Sequence, residues 1–452
     1  MTTKLLHKLL PPLALVGALA LVPVTTSSLA AADVANYKEL EKFMSVYERV
    51  KANYVEPVDD ATLIKGAIDG MLAALDPHSS YLEASDFDTL RTTTDGNYGG
   101  LGITVTVEDG AVKVIAPTED TPAWRAGIKA GDYITHINGN LVYGVSLDEA
   151  VDQMRGEPGS QIKLTIVRPG RDKPFDVSMV REQIQLRPVK WELKDGIAII
   201  DINTFSGNSA EETLAALTAV DKATGGKPLG YIIDLRSNPG GLLDQAVDIS
   251  DAFLNRGEIV SQRGRERNEI ERYYAKSGDM AHGLPVIVLV DAGTASAAEI
   301  VAGALQDQRR ALVMGEKSFG KGSVQTVVQT GPRSALRLTT ARYYTPSGRS
   351  VQAGGIDPDI AVPQLSDPDY KDRPRVREAD LRRHLLAQAK ADDKLLEHDD
   401  TSQDPRFALT AEELEKKGIK DFQLNYALKT LKRLSSGGAA VASSGGQPKS
   451  RR

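Results

Sequence analysis

Ser296 and Lys321 are the two residues of this chain best suited to do chemistry together. The serine lies in Asp-Ala-Gly-Thr-Ala-Ser-Ala-Ala-Glu (291–299), where an apolar run gives way to a helical pattern. The lysine follows 25 residues later, in Gly-Lys-Gly-Ser-Val-Gln (320–325). The chain has no cysteine, and none of its six histidines sits in a recognisable catalytic setting. A serine hydroxyl is a poor nucleophile until a base takes its proton. Lysine can do so only when neutral, against a reference pKa of about 10.4. Burial among uncharged groups lowers that value, and Ala295, Ala297, Ala298 and Gly322 are small and uncharged.

A serine at a helix start brings two further effects. The N–H of Ala297 is left free to donate to a developing oxyanion. The helix dipole favours negative charge there by about 0.3–1 kcal/mol. A second donor is available in Asp-Leu-Arg-Ser-Asn-Pro-Gly-Gly (234–241), where Gly240 and Gly241 let the backbone turn its N–H groups outward; both stand as candidates. Gln325 lies four residues after Lys321. If that turn is helical, its amide can hold the lysine amine in line.

Each residue also has a plainer reading when taken alone. Ser296-Ala-Ala-Glu299 matches a capping box, which makes the serine an N-cap. Lys321 and Gln325 read as surface groups, and residues 238–241 as a turn. Gly-Glu-Lys-Ser-Phe-Gly-Lys (315–321) imitates a phosphate loop, but Gly322 stands where that motif needs Ser or Thr, and a strand pattern follows instead of a helix. No Gly-x-Ser-x-Gly elbow and no His-Glu-x-x-His motif occurs.

The elements that must carry these residues come from periodicity. Residues 173–363 alternate strand-like and helix-like runs: 197–202 before 210–223, 231–235 before 241–254, and 286–290 before 297–305. This is an α/β signature, with function expected at the strand C-termini. Residues 324–344 read as a hairpin. Residues 91–172 form a compact β-rich module, with a hairpin across Asp109-Gly110 and an Asn-Gly turn at 138–139. Residues 33–90 are expected to be a helical packing or dimerisation arm. Residues 364–452 are expected to be a charged helical region whose tail, from 435, is disordered. Residues 1–32 read as an export signal, with Lys4 and Lys8 before a short apolar run and small residues at 28–32. The run is short for a spanning helix. At 452 residues the chain has room for two or three domains, and a net charge of −6 offers no electrostatic footprint for nucleic acid.

These motifs together resemble the carboxyl-terminal processing peptidases, the PDZ-bearing tail-specific proteases of serine peptidase family S41, over roughly residues 40 to 365. The resemblance implies Ser296 as nucleophile, Lys321 as base, Gln325 as its orienting partner, and residues 234–241 as the oxyanion loop. Asp291 and Ala298 stand where the family often has Asn and Ser. The module is similar to a PDZ domain, with Gly100, Leu101, Gly102 and Ile103 as its carboxylate-binding loop, and Arg155 matches an arginine through which some relatives gate their active site. The implied fold is α/β, with a crotonase/ClpP-like protease core, an inserted PDZ domain, and helical N- and C-terminal arms. The implied activity is that of an exported, periplasmic endopeptidase, with association with the inner membrane as an open alternative, that needs no metal or cofactor. Its partners would be proteins with exposed apolar C-termini, an adaptor or regulator, and a second copy of the chain. Two rival readings are an inert PDZ scaffold, opposed by the complete dyad with Gln325, and a crotonase-type acyl-transfer enzyme, opposed by the export signal and the PDZ-like module.

Overall fold

A computed structural model describes residues 27–370, except 109, 267 and 277, together with 376–381, 383, 385 and 404–442. Most of the expected export signal, residues 1–26, lies outside the described residues. The chain divides between residues 68 and 69 into two compact units. In the first, the helix Ser27–Asn53 begins within the expected cleavage region and leaves Tyr37, Leu40, Phe43, Met44 and Val46 exposed. Among the described residues, no helix is long and apolar enough to cross a membrane.

The second unit is built on a six-stranded sheet. Five strands run parallel, in the order Ile197–Ile202, Gly230–Asp234, Val286–Val290, Leu312–Gly315 and Ile360–Ala361, and Val189–Lys194 pairs antiparallel at the first edge. The strands alternate two apolar faces, as the pleat requires. Ala198, Ile200, Ile202, Tyr231, Ile233, Val288 and Val290 face the helices Ser209–Thr224, Leu243–Asp251 and Ala297–Asp307. Ile197, Ile199, Ile232, Ile287, Leu289 and Met314 face the opposite way.

That second face is covered by the C-terminal region. Phe407, Leu414, Phe422, Ala427, Leu428 and Leu431 are buried against it. The expected charged arm is thus corrected, from residue 404, to a layer of the core. A sheet apolar on both faces needs cover on both, and these few apolar positions supply it. The helix Phe422–Ala442 also continues past residue 435, where a disordered tail was expected. Leu431→Ala should cost about 2–5 kcal/mol, because it removes a fully buried side chain from this layer. The measurement is a lowered midpoint of thermal unfolding.

The β-rich module reaches further than residue 172. The strand Phe175–Val180 pairs with Gln161–Val167 and completes its sheet. The next strand, Glu182–Gln185, pairs with Asn97–Gly100 at the module's entry. A second sheet joins Ser80–Leu82, Glu258–Arg263, Ile270–Tyr274, Ser323–Gly331 and Ser334–Tyr344. Lys321 lies in the loop that crosses from the first sheet to this one.

Candidate active site

Ser296 stands between the wholly buried strand Val286–Val290 and the helix Ala297–Asp307. Its backbone is at φ 53, ψ −116. A side chain held at positive φ is strained by about 1–3 kcal/mol, and such strain is characteristic of functional sites. Ser296 and Glu299 have the types and spacing of a capping box, and Glu299 returns to the Ser296 N–H at 2.8 Å. The Ser296 hydroxyl makes no capping hydrogen bond. Cap geometry therefore leaves it available for other chemistry.

Glu299 is the residue that the sequence undervalued. It is fully buried, and both carboxylate oxygens are occupied. Oε1 accepts from the Ser318 hydroxyl at 2.5 Å and the Gly320 N–H at 2.7 Å. Oε2 accepts from the N–H of Ser296 at 2.8 Å and of Lys321 at 2.9 Å. One oxygen thus holds the backbone of both candidate residues. Burial pushes the Glu299 pKa up to about 7, against these four hydrogen bonds.

Lys321 is partly buried. Its pKa is lowered, chiefly by burial and then by the Arg337 guanidinium; Glu378, Glu299 and Asp76 work the other way. Gln325 sits in the strand Ser323–Gly331 rather than a helical turn, so the helical reach towards Lys321 does not apply. Its amide donates instead to Ser323 Oγ at 2.9 Å and Thr339 Oγ1 at 3.3 Å. The strand also removes the helix that a phosphate loop would need.

Residues 234–241 lie against the serine. A Cβ on Gly240 would fall 2.7 Å from Ser296 Cβ and 2.9 Å from Ala297 N. The Gly240 N–H is spent on Asn238 Oδ1 at 2.8 Å. Gly241 and Ala297 have no such partner for their N–H groups among the described residues. Asp291 fixes the two loops together: its Oδ1 accepts from the N–H of Ser237 at 2.7 Å and of Gly293 at 2.9 Å. Asn238 O accepts from Ala295 N–H at 2.9 Å. Arg236 pairs with Asp234 at 2.5 Å and Asp421 at 2.8 Å, which ties the loop to the C-terminal layer.

The module brings Gly100, Leu101, Gly102, Ile103 and Arg155 together along one groove of about 280 Å³. Arg155 lies over the Tyr98 ring at 5.4 Å, and its buried Nε has no hydrogen-bond partner among the described residues.

Comparisons with known proteins agree with this architecture. Residues 196–362 match peptidase family S41, residues 99–179 match a PDZ domain, and residues 22–86 match the N-terminal domain of the activating protease CtpB. The carboxy-terminal-processing protease of Bartonella bacilliformis is 49% identical over 358 residues, covering 79% of this chain and 82% of that protein. The carboxy-terminal processing protease CtpA of Bacillus subtilis is 36% identical over 338 residues, covering 74% and 71%. Among solved structures, the photosystem II D1 C-terminal processing protease is 32% identical, covers 68% of this chain and 84% of its own, and has a TM-score of 0.42. The fold and its groove define a PDZ-bearing peptidase. The chain belongs to the carboxy-terminal processing proteases of family S41, which are serine peptidases.

Proposed function

We propose that this chain is an exported endopeptidase that captures exposed apolar C-terminal tails in its PDZ groove and cleaves them with a Ser296–Lys321 dyad. The observation that carries the reading is the shared hold of Glu299 Oε2 on both dyad backbones, beside a partly buried lysine whose pKa is lowered. Ser296 Oγ attacks the scissile carbonyl carbon while its proton passes to Lys321 Nζ. The oxyanion receives the N–H groups of Ala297 and Gly241; Gly240 serves as the close-packed turn rather than the donor. Collapse breaks the C–N bond, and Lys321 returns the proton to the leaving amine. Water, deprotonated by Lys321, then releases the acyl group from Ser296. Gln325 supports this corner by bonding Ser323 and Thr339.

The core is read as crotonase/ClpP-like, with PDZ residues 99–180 inserted before it. Leu101, Ile103, Val105, Val151 and Met154 line the groove and suit an apolar tail laid along the sheet edge. The exposed apolar face of Ser27–Asn53 suits a second copy of the chain.

The test is labelling with a small sulfonyl fluoride in the chain lacking residues 1–32. Peptide mapping should place one adduct on Ser296, and Lys321→Ala should prevent it. An adduct elsewhere, or equal labelling without Lys321, overturns the dyad.

A further inference from the structure

Lys321 has a neighbour from far outside the protease core. Glu378 belongs to a short turn, Glu378–Asp380, and its side chain is fully buried. It is tied to the chain on both sides of Lys321. Its N–H donates to Phe319 O at 3.1 Å. Its Oε1 accepts from Gln352 Nε2 at 2.8 Å, and Gln352 Oε1 accepts from the Gly322 N–H at 2.9 Å. His78 Nε2, 300 residues away in sequence, meets both carboxylate oxygens at 2.9 and 2.8 Å. The loop carrying His78 is itself fixed. Arg337 Nε donates to His78 O at 3.1 Å, and Asp76 accepts from the N–H of His78 at 2.8 Å and from Thr339 Oγ1 at 3.1 Å.

We propose that Glu378 and His78 are positioning residues for Lys321, the Glu378 carboxylate acting on the lysine's charge and His78 acting through Glu378. This rests on the reading of Lys321 as the base. A buried carboxylate beside a base holds the proton that the base must lose, so its partners decide how strongly it acts. Burial opposes ionisation of Glu378, but the hydrogen bonds from His78 and Gln352 outweigh it and keep its pKa below the usual carboxylate range. The charges that act on the Lys321 amine are those of Arg337 from the strand Ser334–Tyr344, Glu378, Glu299 from the serine helix, and Asp76 from the loop before Ser80–Leu82. Of those that favour the protonated lysine, Glu378 acts most strongly. His78 is the group that engages both of its oxygens.

The signs follow. Without the Glu378 charge, Lys321 loses its proton more readily, and activity rises at lower pH. Without His78, Glu378 acts on Lys321 unshared, and the rise moves to higher pH. The readout is the pH dependence of Ser296 inactivation by a small sulfonyl fluoride, which needs neither the PDZ groove nor a peptide. Glu378→Gln should move the acid limb down by about one pH unit, a tenfold change in rate on that limb. His78→Gln should move it up, and the double variant should coincide with Glu378→Gln. An unmoved limb in Glu378→Gln, or a His78→Gln effect that persists without Glu378, overturns the proposal. If Glu378→Gln does not fold, the His78→Gln limb decides alone, and its failure to move is the negative result. Lys321→Ala runs beside them. If it is inactivated like the unaltered chain, the dyad reading fails; if it is inert while the limb stays put, only this inference fails.

Discussion

Lys321→Ala is expected to lower kcat/KM for an unfolded protein substrate by about 10³-fold or more, and Ser296→Ala by a similar factor. The double variant should be no slower than either single one. A nucleophile and its base act as one unit, so removing either forfeits nearly all that the pair supplies, and the residue left behind has no partner to activate. The structure gives this expectation a physical basis. The Ser296 hydroxyl is not occupied in capping its helix, and burial lowers the Lys321 pKa towards the neutral form that a base needs. Two independent surface groups would give multiplied losses instead. The check is a four-point cycle of steady-state rates, with circular dichroism to show that each variant is folded. A double variant slower than both singles by the product of their losses would overturn the pairing.

What the sequence made legible was whatever depends on near neighbours in the chain. The run 286–290 is all Val, Ile and Leu, so it reads as a buried strand, and Ser296 follows where the helix must begin. The pairing of Ile103–Glu108 with Ala111–Pro117 and the Asn-Gly turn were legible for the same reason, although Asp109 itself lies outside the described residues. Features that depend on distant partners were not legible. The Glu299 spacing to Ser296 matched a capping box, yet its second duty is to residues 318–321, reached only after the chain has crossed a strand. Gly240 and Gly241 were indistinguishable until the Asn238 side chain was seen to take the N–H of the first. Gln325 was read on a helical spacing, but the strand turns its amide to Thr339. Residues 404–436 are rich in charge and looked like an exposed arm. Their few apolar residues gain meaning only from the uncovered sheet face they meet. His78 and Glu378 lie at opposite ends of the core, and no local pattern joins them.

Glu299→Gln should reduce kcat/KM by about 10²-fold, although the variant nearly keeps the shape of the residue and Glu299 touches no substrate. Four donors converge on the carboxylate, two on each oxygen. Only an ionised carboxylate presents two acceptor oxygens; an amide keeps one and turns N–H groups towards two donors. Either way at least one backbone N–H loses its acceptor; of the four partners only the Ser318 hydroxyl can turn to accept from the amide. If the amide nitrogen faces Ser296 and Lys321, their relative position loosens, and a misplacement of about 1 Å in a reacting pair is sufficient for a loss of this size. If it faces Ser318 and Gly320, the lysine loop loosens instead. Protonation does the same damage reversibly. With the Glu299 pKa pushed up to about 7 by burial, the carboxyl gains a proton as pH falls through that value, while Lys321 is also being protonated. Both changes lower activity on the acid side. The stability contribution has a different sign: the raised pKa favours the folded state at low pH, and that contribution is lost as pH rises through about 7. Activity and stability should therefore diverge near neutrality, with activity rising while this group's contribution to stability declines. In Glu299→Gln that contribution is absent. Rates and thermal midpoints measured together from about pH 5 to about 9, a range that spans the raised Glu299 value and approaches the reference lysine, decide the matter. A variant with undiminished kcat/KM would show that the shared hold on Ser296 and Lys321 does not position the dyad.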